Sequence, residues 1–155
     1  MVEVGFYQLQ RSALEPALGR LLEKVLASGK RAVVRASSPE RVEALNRALW
    51  TFGRDSFLPH GSREDGYAED QPVFLTASAD CPNGATVLVL VDGAEPEPAS
   101  PFERCLYLFD GNDPQAVEQA RARWRQWRER GARVTYWQQT ERGGWQQAGA
   151  RADEG

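Results

Sequence analysis

Side chains able to do covalent or metal chemistry are scarce: one histidine, His60, and two cysteines, Cys81 and Cys105, in 155 residues. The cysteines lack CxxC spacing, so with a single imidazole they do not make up the roughly four ligands of a structural zinc site. A Ser-His-Asp triad would have to use His60. Gly5 is the only glycine near the first strand-like segment, so a GxGxxG pyrophosphate loop is missing. Ser28-Gly29-Lys30-Arg31 has the look of the end of a phosphate-binding loop, but it follows a helix pattern and precedes a strand pattern, the reverse of the required order. Glu64/Asp65 and Glu69/Asp70 are adjacent acids in a glycine-rich stretch, the pattern of solvated charges. No catalytic, cofactor-binding or metal-ligating residue is assigned.

Two segments carry more. In the run Ala116 to Arg128, at about 100° per residue, two neighbouring stripes separate. Ala116, Ala120 and Trp127 line one, with Arg123 at its edge, and suit close packing on a sheet. Val117, Arg121, Trp124 and Arg128 line the other and mix apolar with cationic groups. As a site, Val117 and Trp124 form an apolar floor, while Arg121 and Arg128 offer guanidinium forks for a carboxylate. That combination suits the end of an acidic peptide with an aromatic terminal residue. As structure alone, Val117, Ala120, Trp124 and Trp127 form a core seam with the arginines outside it. Periodicity does not choose between the two.

The other segment joins a helix ending in Trp50 to Phe57-Leu58-Pro59-His60. Trp50 and Phe57 read as core aromatics capping a sheet, the plainer reading, or as an apolar knob for a partner. His60 reads as a hydrogen-bonding loop residue, because no second catalytic group accompanies it.

The elements that must position these residues follow from pattern. Val2 to Leu9 is β-prone, and Ser12 with Glu15 has capping-box spacing before a helix carrying Leu14, Leu18, Leu21, Leu22, Val25 and Leu26. Arg31–Ala36 reads as a buried strand, and Ser38-Pro39 opens a second helix ending at Trp50. From Gly53 to Pro72 the periodicity fails, which predicts a long irregular loop. Strands follow at Val73–Thr76, Thr86–Val91 and Cys105–Phe109, with a proline-rich, irregular stretch at 95–101 between the last two. Pro114 opens a helix lasting to about Arg130, Gly131 ends it, and Arg133–Trp137 is a last strand. The order predicts an α/β fold: a single Rossmann-like, three-layer domain over residues 1–147, with a mostly parallel sheet and helices on both faces. Residues 148–155 are expected to be a flexible polar tail.

Composition sets the class. With 41% hydrophobic and 26% charged residues, wholesale disorder is excluded. No apolar run approaches the ~20 residues that span a bilayer. The start MVEVGFYQLQ lacks a signal peptide's basic and apolar regions, so a cytoplasmic location is expected. Net charge is −3, unevenly spread: residues 64–110 hold ten acids against Arg104, whereas Arg121 to Arg133 holds six arginines against Glu129. A dense arginine strip on an acidic protein suits a local anion or acidic peptide better than a nucleic-acid coat.

The sequence resembles the chi subunit of bacterial DNA polymerase III holoenzyme over nearly its whole length. The matching pieces are Val4–Leu9, Gly29–Val34, Glu43–Phe52, Asp55–His60 and Ala120–Arg125, with the Leu-Trp and Ser-Phe-Leu-Pro-His stretches the specific part. The resemblance implies a non-enzymatic accessory protein without a cofactor. Such a protein joins the clamp-loader assembly, through a psi-like subunit, to the acidic C-terminal tail of single-stranded-DNA-binding protein. It implies tail binding by Arg121, with Trp124 in place of the family's usual tyrosine. A family lysine aligns with Val117, which leaves Arg125 or Arg128 to attract the tail's aspartates. It places the psi interface at Trp50 and Phe57, with Leu58, Pro59 and His60 beside them. The expected state is a monomer or heterodimer that meets DNA only indirectly and makes no membrane contact. A small Rossmann-like enzyme acting on a nucleotide or small molecule, and a direct single-stranded DNA binder, are the rival readings.

Overall fold

The computed structural model describes residues 3–10, 13–51, 58–78, 81–94, 102–140 and 144–147. Its elements run β1 (Glu3–Leu9), α1 (Leu14–Ala27), β2 (Ala32–Arg35), α2 (Pro39–Leu49), β3 (Gly61–Ser62), β4 (Val73–Thr76), β5 (Val87–Leu90), β6 (Arg104–Asp110), α3 (Pro114–Glu129), β7 (Arg133–Gln139) and β8 (Trp145–Gln147). Two single 3₁₀ turns, Arg63–Asp65 and Ala68–Asp70, lie between β3 and β4.

Among the described residues the strands form one sheet in the order β3-β4-β2-β5-β6-β1-β7-β8, and every neighbouring pair is parallel except β7 with β8. The central strands are apolar on both faces because both are covered. Ala32 and Val34 of β2 join Leu18, Leu22, Leu45 and Leu49 from α1 and α2 in one core cluster. Val33 between them joins Phe6, Leu88, Tyr107, Ala120 and Trp127 in a second, on the side of α3. This is the period-two alternation of a strand buried between two layers.

The helix boundaries follow local chemistry. Ser38 accepts a hydrogen bond from the Arg41 N–H, with Pro39 at the first helical position of α2. Asp113 does the same for the Gln115 N–H at the start of α3, and Gly131 ends that helix at a φ of 83°, which glycine adopts without steric penalty. The first helix departs from expectation. It starts at Leu14, with Ala13 at the cap position and no side-chain capping bond; Ser12 lies outside the described residues.

Two strands are additional to those expected. Gly61–Ser62, inside the stretch read as wholly irregular, pairs in parallel with Phe74 and Leu75. Trp145–Gln147 pairs antiparallel with Trp137–Gln139. Each is so short that its conformation comes from the neighbouring strand rather than from a local pattern. The 95–101 stretch and the 148–155 tail lie outside the described residues. No described helix is long and apolar enough to cross a membrane.

Candidate functional site

The outer helix α3 is amphipathic in an unusual way. Ala120 and Trp127 are buried, at 2% and 7% exposure. Val117 and Trp124 pack against the same cluster from its edge and are half-buried. Arg121 and Arg125 are exposed, and Arg128 is half-buried with its guanidinium carbon 4.9 Å from the centroid of the Trp124 ring. The apolar stripe is a core seam, and it surfaces at Val117 and Trp124 where the arginines begin. Among the described residues the Trp124 indole Nε1 is buried without a hydrogen-bond partner.

Tyr136 on β7 is an addition that periodicity within α3 could not supply. It packs on the α3-side cluster, meets Phe109 edge-on at 6.1 Å, and its hydroxyl donates to the Gln8 Oε1. Burial pushes the Tyr136 phenol up from its ordinary pKa, and the positive charge of Arg121 opposes that shift. The signal available in the sequence was the strand directly after α3, whose residues return beside the helix that precedes them.

At the end of α2 the structure separates the four described residues of the five grouped by sequence. Trp50 is 49% exposed and its ring lies over His60, with centroids 4.2 Å apart and planes tilted by 38°. Pro59 is half-buried. Leu58 and His60 are 2% and 3% exposed, so both side chains are buried; His60 lies against the Trp50 ring and Leu58 belongs to the core cluster. Phe57 lies outside the described residues. The two His60 ring nitrogens face the Leu58 carbonyl at 2.5 Å and the Asn46 carbonyl at 2.9 Å, so His60 acts as a hydrogen-bonding strut.

A polar network holds this corner. Asn46 donates its Nδ2 to the Asp65 carboxylate at 2.7 Å, which also accepts from the Ser62 N–H at 2.8 Å. Ser62 Oγ donates to Glu43 at 2.8 Å. The Ser62 N–H is the main cause holding the Asp65 carboxyl below its ordinary pKa, with Asn46 adding to it against desolvation. Thus α2, β3 and the turn after it are tied beneath Trp50.

A cavity of about 850 Å³ lies at the carboxyl ends of β1 and β6, between the first turns of α1 and α3, where open α/β sheets commonly bind ligands. Its charged groups serve the fold. Arg41 makes two hydrogen bonds to Asp92, at 3.0 and 3.1 Å, Asp110 accepts from the Asn112 N–H, and Asp113 caps α3. Among the described residues no group of three or more His, Cys, Asp or Glu side chains could hold a metal ion.

Comparison with known proteins adds the family. A model described as DNA polymerase III chi subunit, HolC, matches residues 1–135. A similar curated protein is the probable DNA polymerase III subunit chi of Rickettsia prowazekii (strain Madrid E), 34% identical over 91 residues. That alignment covers 59% of this chain and 55% of the relative, so it spans about half of the relative's length.

Proposed function

The chain belongs to the DNA polymerase III chi subunit family, and we propose that it works as a non-enzymatic accessory of the replicative polymerase. In this reading one face docks the acidic C-terminal tail of single-stranded-DNA-binding protein and another docks a psi-like subunit of the clamp-loader assembly. The scaffold is a cytoplasmic, single Rossmann-like domain over residues 1–147, with helices layered on both faces of the sheet.

One observation carries the tail reading: the exposed Arg121 beside an apolar seam that surfaces at Val117 and Trp124. A carboxylate on the Arg121 guanidinium forms charge-assisted hydrogen bonds. The aromatic end of the tail then lies on Val117 and Trp124, and its aspartates face Arg125 and Arg128. The psi-like partner meets Trp50 and Pro59, with His60 against the Trp50 ring, Leu58 buried in the core behind them and Phe57 expected beside Trp50. An exposed tryptophan at a fixed position is the residue type that centres interface hot spots.

The test is capture of single-stranded-DNA-binding protein by the immobilised chain, with the intact protein and with a version lacking its last residues. Retention of the intact form alone supports the tail reading. Equal retention of both forms overturns it.

A further inference from the structure

A second cavity, of about 250 Å³, lies on the other side of the sheet from α3, between the end of α1 and the β7–β8 edge. Tyr7 forms its base and is 5% exposed. The Trp137 ring lies nearly parallel to Tyr7, with centroids 6.1 Å apart and planes 8° from parallel. Trp145 meets Tyr7 edge-on at 5.1 Å. Leu21, Val25 and Leu106 complete the apolar wall.

The charged residues of this pocket are both cationic. Lys24 comes from the last turn of α1 and Arg104 from the first position of β6, and the lining includes no acid. Lys24 forms no ion pair among the described residues, and Arg104 Nη2 donates to the Tyr7 hydroxyl at 3.5 Å. Ser28 Oγ, also at the rim, donates to the Val25 carbonyl at 2.6 Å, which leaves its lone pairs to accept. Of the acid-rich stretch 64–110, only Arg104 and Leu106 line the pocket.

We propose that this pocket takes one base of single-stranded DNA, stacked on the Trp145 ring with its edge toward Trp137, and with the flanking phosphates on Lys24 and Arg104. A purely apolar occupant would leave both cations unmatched. A chain-end carboxylate would match one. A nucleotide within a strand carries an anion on each side of a planar ring, and the two cations come from two different elements. Aromatic stacking with flanking positive charge is the general device for binding single strands without sequence preference. Because α3 packs on the opposite side of the sheet, this contact is separate from the tail site and does not depend on it.

The experiment titrates the full chain into a labelled oligothymidylate at low salt, reading fluorescence anisotropy. Saturable binding that weakens as salt rises is expected. Trp145→Ala should weaken it by about five- to a hundredfold, the range for losing one stacked base. An abasic strand of the same length should bind the wild type more weakly by a similar factor. Trp145→Ala removes packing from the short β8, so Lys24→Glu, a change on the exposed side of α1, is the second variant. It should weaken binding and flatten its salt dependence. Absence of saturable binding by the wild type overturns the proposal, as does equal affinity for the abasic strand or an unchanged affinity in Lys24→Glu. Displacement of the oligonucleotide by a short peptide ending in phenylalanine with a free carboxylate would also overturn it, by assigning the pocket to a protein chain end.

Discussion

Arg128 roofs Trp124: the guanidinium carbon stands 4.9 Å from the centroid of the indole, one helical turn away on α3. The half-buried ring thus touches the core cluster on one part and a cation on another. Such a contact is worth about 0.5–1 kcal/mol at an exposed position. It keeps Trp124 in one orientation and brings positive charge to the place where the proposed tail would lay its aromatic end.

Arg121→Ala should weaken binding of a tail peptide about ten- to a hundredfold. A hydrogen bond to a charged group contributes roughly 1.5–3 kcal/mol, and ~1.4 kcal/mol is one decade of affinity. Trp124→Ala should cost a comparable amount through lost apolar contact, whereas Trp124→Tyr should retain most of the affinity. Calorimetric titration reads both, and higher salt should weaken the wild-type complex because Arg125 is exposed and screened. Unchanged affinity in Arg121→Ala with helix content preserved would return this stripe to a solvated face.

Trp50→Ala and His60→Ala should part company. The indole is half in solvent, so its loss should leave the melt close to wild type while abolishing capture of the psi-like partner. His60 is buried with both nitrogens facing carbonyls, and leaving buried polar groups unpaired costs about 1–3 kcal/mol each. Urea unfolding should therefore show His60→Ala as the clearly less stable variant. Equal stability losses in both would make Trp50 a core residue.

Asp65 predicts an acid-sensitive corner. Its folded pKa is lowered from the ordinary 3.8. The carboxylate's contribution is therefore present above the ordinary carboxylate range and is lost as pH falls through the lowered folded value. The stability gap between wild type and Asp65→Ala in urea should be wide at neutral pH and narrow as pH falls below the ordinary carboxylate range. A gap that does not change with pH would remove the charge of Asp65 from the account.

Cys105 should be a silent thiol. Burial pushes its pKa from 9.0 up to about 12, with the charge of Arg35 opposing the shift. The thiolate is the reactive form, so at mildly alkaline pH the folded chain should titrate one thiol, the half-buried Cys81, and a second only after denaturation. The folded state also holds this proton after the unfolded chain has released it. Stability conferred by the neutral thiol is therefore lost as pH rises from about 9 toward 12. Two equally fast thiols in the native protein would contradict this burial.

Local chemistry was enough to place most of this protein in sequence. Ser38-Pro39 and Asp113-Pro114 announce helix starts, Gly131 a stop, and the runs around Val33, Leu75, Leu88 and Leu106 are apolar on consecutive residues as only strands covered on both faces need to be. The Leu-Trp and Ser-Phe-Leu-Pro-His stretches likewise carried the family resemblance. Tertiary structure decided what local pattern does not encode. Gly61–Ser62 and Trp145–Gln147 are strands because a neighbour offers hydrogen bonds, and two or three residues have no periodicity of their own. Leu58 went inside with the α1–α2 core cluster and His60 against the Asn46 carbonyl of α2, while Trp50, a residue of the same aromatic class as buried Trp127, stayed half in solvent at a helix end. Tyr7 lies far along the chain from Trp137 and Trp145, and the three rings meet only because β1, β7 and β8 are neighbours in the sheet. Spacing along one element tells which residues share its face; which faces then meet is set by strand order, and that comes from the packing of the whole core.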